Sequence, residues 1–230
     1  MEELFELEYQ EINKRFKNEI KTFGKNLSYS ITGTPLRQSN VLIVGSNWGG
    51  TDDIPSQIQM PLINDILADQ NNQTYKGYLD FFVKTYSDNK LQAIDFLNRI
   101  VYTNGNFIRT PSEKQQYNEV LNYGYSVTAK YLKEITELIG ARIIICFGNS
   151  ERSATSAVFK SMGIEGDFWK VKDIQAYKVA NNFNTYFFSQ HINGTVYKIF
   201  SFPHSSRFNT WKKGIEGNEV FKILKSELNK

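Results

Sequence analysis

Three polar side chains stand where apolar runs end, and their types suit the reading of a nucleobase. Asn47 closes Val41-Leu-Ile-Val-Gly-Ser-Asn47 ahead of Trp48-Gly-Gly50. Asn104 follows Arg99-Ile-Val-Tyr-Thr103, and His204 follows Tyr197-Lys-Ile-Phe-Ser-Phe-Pro203. A carboxamide offers a donor and an acceptor side by side, which matches the hydrogen-bonding edge of a base. An imidazole can donate to a carbonyl on which negative charge develops. Hydroxyls and a guanidinium follow the histidine, in Ser205, Ser206 and Arg207, and these suit phosphate contacts.

Those residues need a scaffold that brings strand ends together. Val41–Val44, Arg99–Thr103, Ala141–Phe147 and Tyr197–Phe202 read as strands, and the third ends at Gly148. Helical patterns between them follow the rhythm of a parallel sheet, whose carboxyl strand ends share one edge and form the usual binding crevice. The expected architecture is three-layer α/β/α around a central, mostly parallel four-stranded sheet, in one domain spanning residues 1–230. Residues 1–24 supply a packing helix, with Phe5, Tyr9, Ile12, Phe16, Ile20 and Phe23 on one face and Gly24 as its stop.

Further helices are expected at about 60–67, around Tyr78 to Tyr86, over 91–97, from Ser112 to Leu138, over 153–162 and over 218–228. Asn104-Gly105 reads as a turn, and Asn193-Gly194 as the tip of a hairpin joining Phe187-Phe188 to Tyr197–Phe202. His191, on that hairpin, reads as a surface residue. Asn47 would stand in a glycine-rich βα turn, where the left-handed conformation is open to it.

Composition narrows the function. One cysteine, Cys146, excludes a disulfide within the chain and a cysteine-based metal cluster. The net charge of +3 permits a local nucleic-acid patch without demanding one. No window is apolar enough for a membrane span, and the acidic N-terminus matches no signal peptide, so a soluble cytoplasmic monomer is expected. The first turn has neither the Gly-Lys-Ser/Thr of a triphosphate loop nor the Gly-x-Gly-x-x-Gly of a dinucleotide fold.

Taken together, Gly45-Ser-Asn47-Trp-Gly49 and His204-Ser-Ser-Arg207-Phe-Asn209 resemble the two signature loops of the uracil-DNA glycosylase superfamily. In its mismatch-specific and single-strand-selective branches the first loop reads Gly-x-Asn-Pro-Gly and the second begins His-Pro-Ser. Thr103-Asn104-Gly-Asn-Phe-Ile-Arg109 resembles the strand end that carries the family's base-reading Asn, and Ile144-Ile-Cys-Phe-Gly148 matches a strand closing in Gly. The likeness spans about residues 40–210 in order.

The resemblance implies a uracil-DNA glycosylase-like fold and a monofunctional enzyme that flips a base and hydrolyses its N-glycosidic bond, with no cofactor and no metal. Asn47 would position the attacking water, and His204 would donate to the leaving base. Asn104 would read the base edge, with Trp48 as a candidate base-binding aromatic and Phe107 or Tyr102 as the candidate base-stacking ring, each also suited to the core. Ser205, Ser206, Arg207, Lys212 and Lys213 would contact single- or double-stranded DNA. Trp48 and Ser205 stand where the family keeps proline. Asp52 or Asp53 could supply a carboxylate that Asn47 lacks. The target would be uracil or a modified pyrimidine. The altered first loop also admits a hypermodified phage base in an antiviral role, or a non-catalytic nucleic-acid binder on the same fold.

Overall fold

The computed structural model describes residues 2–23, 27–47, 73–110, 118–150, 152–164, 175–178, 184–204 and 218–230. In chain order the elements are α1 (Glu2–Lys21), β1 (Val41–Asn47), α2 (Gln73–Thr85), α3 (Lys90–Arg99), β2 (Val101–Asn106) and α4 (Asn118–Leu138). They are followed by β3 (Ile143–Phe147), α5 (Ala154–Ser161), β4 (Gln175–Lys178), β5 (Asn184–Ile192), β6 (Thr195–Phe202) and α6 (Glu219–Leu228). The helix expected near 60–67 falls outside the described residues.

All six strands form one sheet in the order β2-β1-β3-β6-β5-β4. Neighbours among β2, β1, β3 and β6 pair in parallel, whereas β5 pairs antiparallel with β6 and β4 antiparallel with β5. The four expected strands are therefore the parallel part of a larger mixed sheet, and the four-stranded count is corrected to six. Asn193 and Gly194 form the β5–β6 tip at φ 51° and 77°, which these two residue types tolerate, so the hairpin closes in two residues.

Helices cover the sheet on opposite faces because alternate strand residues carry apolar side chains to both. Ile43, Ile145, Phe147, Phe200 and Phe202 meet Tyr78, Phe81 and Phe82 of α2, Leu97 of α3 and Phe221 of α6. Leu42, Val44, Ile144, Cys146 and Ile199 meet Leu121 and Leu132 of α4 and Val158 of α5. This is the three-layer α/β arrangement that near-continuous apolar strands require. Capping supports two of the helices: Asn89 Oδ1 accepts from Leu91 N at 2.9 Å, and Asn218 Oδ1 accepts from Val220 N at 3.0 Å.

Helix α1 packs outside α4. Phe16 is fully buried among the rings of Tyr29, Phe107 and Tyr131, with centroids 5.1–5.3 Å away. No described helix is long and apolar enough to cross a membrane.

Two strand readings change. β2 begins two residues later than expected and runs through Asn104-Gly105-Asn106, so this Asn-Gly pair is strand rather than turn. The cause is packing. A Cβ on Gly105 would stand 2.9 Å from Ala157 Cβ and 3.0 Å from Ala154 Cα, so the glycine admits the close approach of α5. Asn47 likewise continues β1 and is paired with Asn106, and Asn193 is the described non-glycine residue with positive φ.

Candidate functional site

Connectivity defines where a ligand would bind. From β1 the chain moves to β2 on one side, then crosses to β3 on the other, so the order reverses between β1 and β3. Crevices in open α/β sheets form outside the carboxyl ends of the strands at such a reversal. Here those ends are tied together. Ser46 Oγ donates to Phe147 O at 3.1 Å, and Tyr125 of α4 donates its hydroxyl to Ser46 O at 3.1 Å. Gly148, at φ +140°, leaves room for the Ser46 hydroxyl, which a Cβ there would approach to 2.2 Å.

The register aligns the candidate residues in rows. Gly45 pairs with Asn104, and Phe147 pairs with Phe202 one step beyond the Val44–Cys146 pair. Asn104, Gly45, Phe147 and Phe202 thus cross the parallel strands at one level. Positions 47 and 106 lie two residues further on, at the sheet's carboxyl edge, and His204 follows two residues after the last residue of β6.

Asn104 is the best-defined member. Its side chain is fully buried on the face that α2 covers, and it occupies the space above Gly45. Oδ1 accepts from the Tyr102 hydroxyl at 3.3 Å, and Tyr78 donates its hydroxyl to that of Tyr102 at 3.4 Å. Nδ2 has no hydrogen-bond partner. Leaving a buried amide donor unpaired costs on the order of 1–3 kcal/mol, so this group calls for an explanation. Burial, and then the neighbouring Tyr78, push the Tyr102 phenol well above its ordinary value, so it stays protonated.

The floor beneath this amide is aromatic. Tyr78 lies 4.7 Å from Phe147 and 5.3 Å from Tyr102 between ring centroids, and Phe81 lies 5.0 Å from Phe147. These rings hold the hydroxyls in place on an apolar support.

Asn106 serves the fold. Its Oδ1 accepts from Ile108 N at 2.9 Å, and the amide packs where Gly124 of α4 has no side chain. Its Nδ2 is the second buried amide donor without a partner. Thr128 Oγ1 accepts from Phe107 N at 2.9 Å, completing the anchor at this end of β2.

The remaining expectations divide sharply. His204 follows the buried Pro203 and is half-buried at the end of β6. Phe107 does not line the site: it is fully buried against Phe16 of α1, so its reading as a base-binding ring is corrected. It lies beyond the end of β2, where the chain turns under α1. Trp48, Asp52, Asp53, Ser205, Ser206, Arg207, Lys212 and Lys213 lie outside the described residues. His191 is exposed on the hairpin, as expected. Tyr78 as a polar partner had no local sequence signal; Tyr102 had one, its two-residue offset from Asn104 on the same strand face.

Among the described residues no three His, Cys, Asp or Glu side chains gather into a metal site. Cys146 is fully buried, and burial pushes its thiol far above the usual range, which makes it an inert core residue. No protein-family model matches the chain, and no curated protein is significantly similar to it.

Proposed function

We propose that the protein is a monofunctional DNA glycosylase, which takes an extruded base into the crevice at the carboxyl ends of β1, β2 and β6 and hydrolyses its N-glycosidic bond. The observation that carries this reading is the buried, unpaired Asn104 amide donor at the level of Gly45, two residues before Asn47 on the neighbouring strand. An amide held in this way is suited to the Watson–Crick edge of a flipped base.

The chemistry asks for little more than positioning and charge stabilisation. Cleavage passes through a sugar with oxocarbenium character and leaves an anionic base. In this reading His204 donates to the base carbonyl as charge builds there, which lowers the barrier without a strong nucleophile. Asn47 orients the water that attacks the sugar carbon. Asn104 holds the base so that the scissile bond lies between the two. Contacts to DNA phosphates fall to the basic stretch after His204, with Arg207, Lys212 and Lys213.

The test is direct. Purified protein is incubated with duplex and single-stranded DNA carrying uracil, thymine mismatches or bulky modified pyrimidines, and abasic sites are then cleaved with alkali. Strand breaks dependent on Asn47 and His204 support the reading, and the substrate that reacts identifies the target base. DNA binding that survives Asn47→Ala and His204→Ala, with no abasic site on any substrate, would make the protein a non-catalytic binder.

A further inference from the structure

We propose that the groove between α1 and the C-terminal end of α4 docks a basic amphipathic segment of a partner protein, with lysine or arginine side chains flanking an apolar anchor. The proposal is independent of the glycosylase reading and concerns the opposite edge of the sheet.

Side-chain contacts fix how the two helices lie. Glu19 of α1 meets Lys130 and Tyr131 of α4, and Arg15 meets Glu134. Numbers rise along one helix as they fall along the other, so α1 and α4 run antiparallel. Beyond the Arg15–Glu134 pair, Ile12 and Leu7 of α1 and Leu138 of α4 line a groove of about 470 Å³. Leu138 ends α4 shortly before β3 begins at Ile143, and Ile139 O accepts from Ser39 N at 2.8 Å just ahead of β1. The groove therefore lies towards the amino ends of these strands, away from the carboxyl-end crevice.

Its floor is apolar and its rim is acidic. Ile12 is buried at the base, Leu138 is half-buried, and Leu7 is 61% exposed. An apolar side chain from a partner would complete the burial of both leucines, as an interface anchor does in its pocket. Glu8 and Glu11 stand on the α1 side, and Glu134 and Glu137 on the α4 side. Against these four carboxylates the lining carries one cation, Arg15, and it is already committed. Its guanidinium donates to both Glu134 oxygens, at 3.1 and 2.5 Å, and lies over the Tyr131 ring. Lys14 and Lys133 stand 3.8 Å from Glu11 and Glu137, one turn away on the same helices, and such pairs contribute little.

Charge selects the occupant. This lining repels nucleic acid and attracts lysine and arginine, on a chain whose net charge is +3. Exposure selects its kind. A small-ligand site encloses most of its ligand, but Glu8, Glu11 and Glu137 stand in solvent, so the occupant brings its own cover. A helix laid in a groove does so. Its lysine and arginine stems can lie on the apolar floor while their charged heads reach the rim.

Fluorescence anisotropy measures binding of a labelled peptide of leucine and lysine, with leucines three and four residues apart on one helical face. Control peptides have the same composition in scrambled order, or glutamate in place of lysine. Wild type is expected to bind the first peptide about fivefold or more tightly than the scrambled one, and not to bind the glutamate peptide. Glu8→Lys and Leu7→Ser should each weaken binding by about fivefold or more. Asp88→Lys, on the loop between α2 and α3 in the opposite layer, should leave it within about twofold. All three replaced side chains are exposed, and thermal unfolding checks each variant's fold. An equal loss in Asp88→Lys, equal binding of the scrambled peptide, or no binding at about 1 mM peptide overturns the proposal. So does a dimer in sedimentation that Leu7→Ser dissociates, since a second copy then fills the groove.

Discussion

The carboxamide of Asn104 fills the space that a side chain at Gly45 would need: a Cβ on Gly45 would come within 2.2 Å of Asn104 Oδ1. The two residues face each other across the β1–β2 ladder. Gly45 thus does more than relax a turn, because it sits inside the strand. Gly45→Ala should cost about 1–3 kcal/mol by overpacking. It should also abolish base-dependent activity, since the amide has buried tyrosines behind it. Thermal unfolding and an abasic-site assay on the same preparation check both effects; an alanine variant with wild-type stability would remove this packing argument.

Asn104 also exposes a conflict between stability and function. Its Nδ2 is buried without a partner, so replacing the side chain by an apolar one of similar size relieves an unmet donor. Against that, Tyr102 loses its contact with Oδ1. Asn104→Leu should therefore lie within about 1 kcal/mol of wild type in stability while base recognition is lost. Chemical denaturation followed by a base-binding assay tests the pair of outcomes. A large loss of stability would mean that Asn104 is chiefly a structural residue.

His204 and Asn47 occupy the same edge in the proposed reaction and contribute different things to it. His204→Ala removes a donor to developing charge, and a loss of about 10²–10³ in rate is expected. Asn47→Ala should lower the single-turnover rate while leaving DNA affinity close to wild type. Single-turnover kinetics alongside fluorescence anisotropy separate the two effects. A rate unchanged by either substitution would place the chemistry elsewhere.

The parallel strands were legible because each is a short apolar run ending at Asn, Gly or Pro, and runs of that kind are what a sheet covered on both faces demands. The hairpin was legible from Asn193-Gly194, whose backbone needs are local. Gly105 was not. Its neighbours on α5, Ala154 and Ala157, are distant in sequence, and close helix packing leaves no local mark to tell it from a turn. β4 escaped notice because four residues on a sheet edge are too few to show a period. Within the site, Asn104 was visible as a polar residue after an apolar run, but Tyr78, which hydrogen-bonds its partner Tyr102, comes from a helix 24 positions before that tyrosine. Phe107 was misplaced for the same reason: the ring that claims it, Phe16, belongs to α1.

Helix α1 is held to the body by one ring above all. Phe16 is fully buried and contacts Tyr29, Phe107 and Tyr131 edge-on or tilted. Phe16→Ala should cost about 3–5 kcal/mol, the usual price of emptying a large aromatic site in a core. Urea unfolding gives the number. A cost below about 1 kcal/mol would show that α1 docks chiefly through its polar contacts with α4.

Those polar contacts should make the same junction sensitive to acid. Partial burial raises the Glu19 carboxyl, but hydrogen bonds from Lys130 and Tyr131 and the lysine's charge outweigh it and leave the group below its ordinary value. A carboxyl lowered by folding stabilises the native state at pH values above its unfolded value, about 4.3, and that contribution is lost as pH falls through the lower folded value. Glu227 is lowered in the same sense by Lys198 and Lys230, again against partial burial. Unfolding temperature should thus fall steeply below about pH 4.5. In Glu19→Gln the fall should be shallower, with the Tyr131 hydroxyl still able to donate to the amide oxygen. Melting curves from pH 3 to 7 on both proteins decide it, and parallel profiles would show that Glu19 contributes nothing to the acid limb.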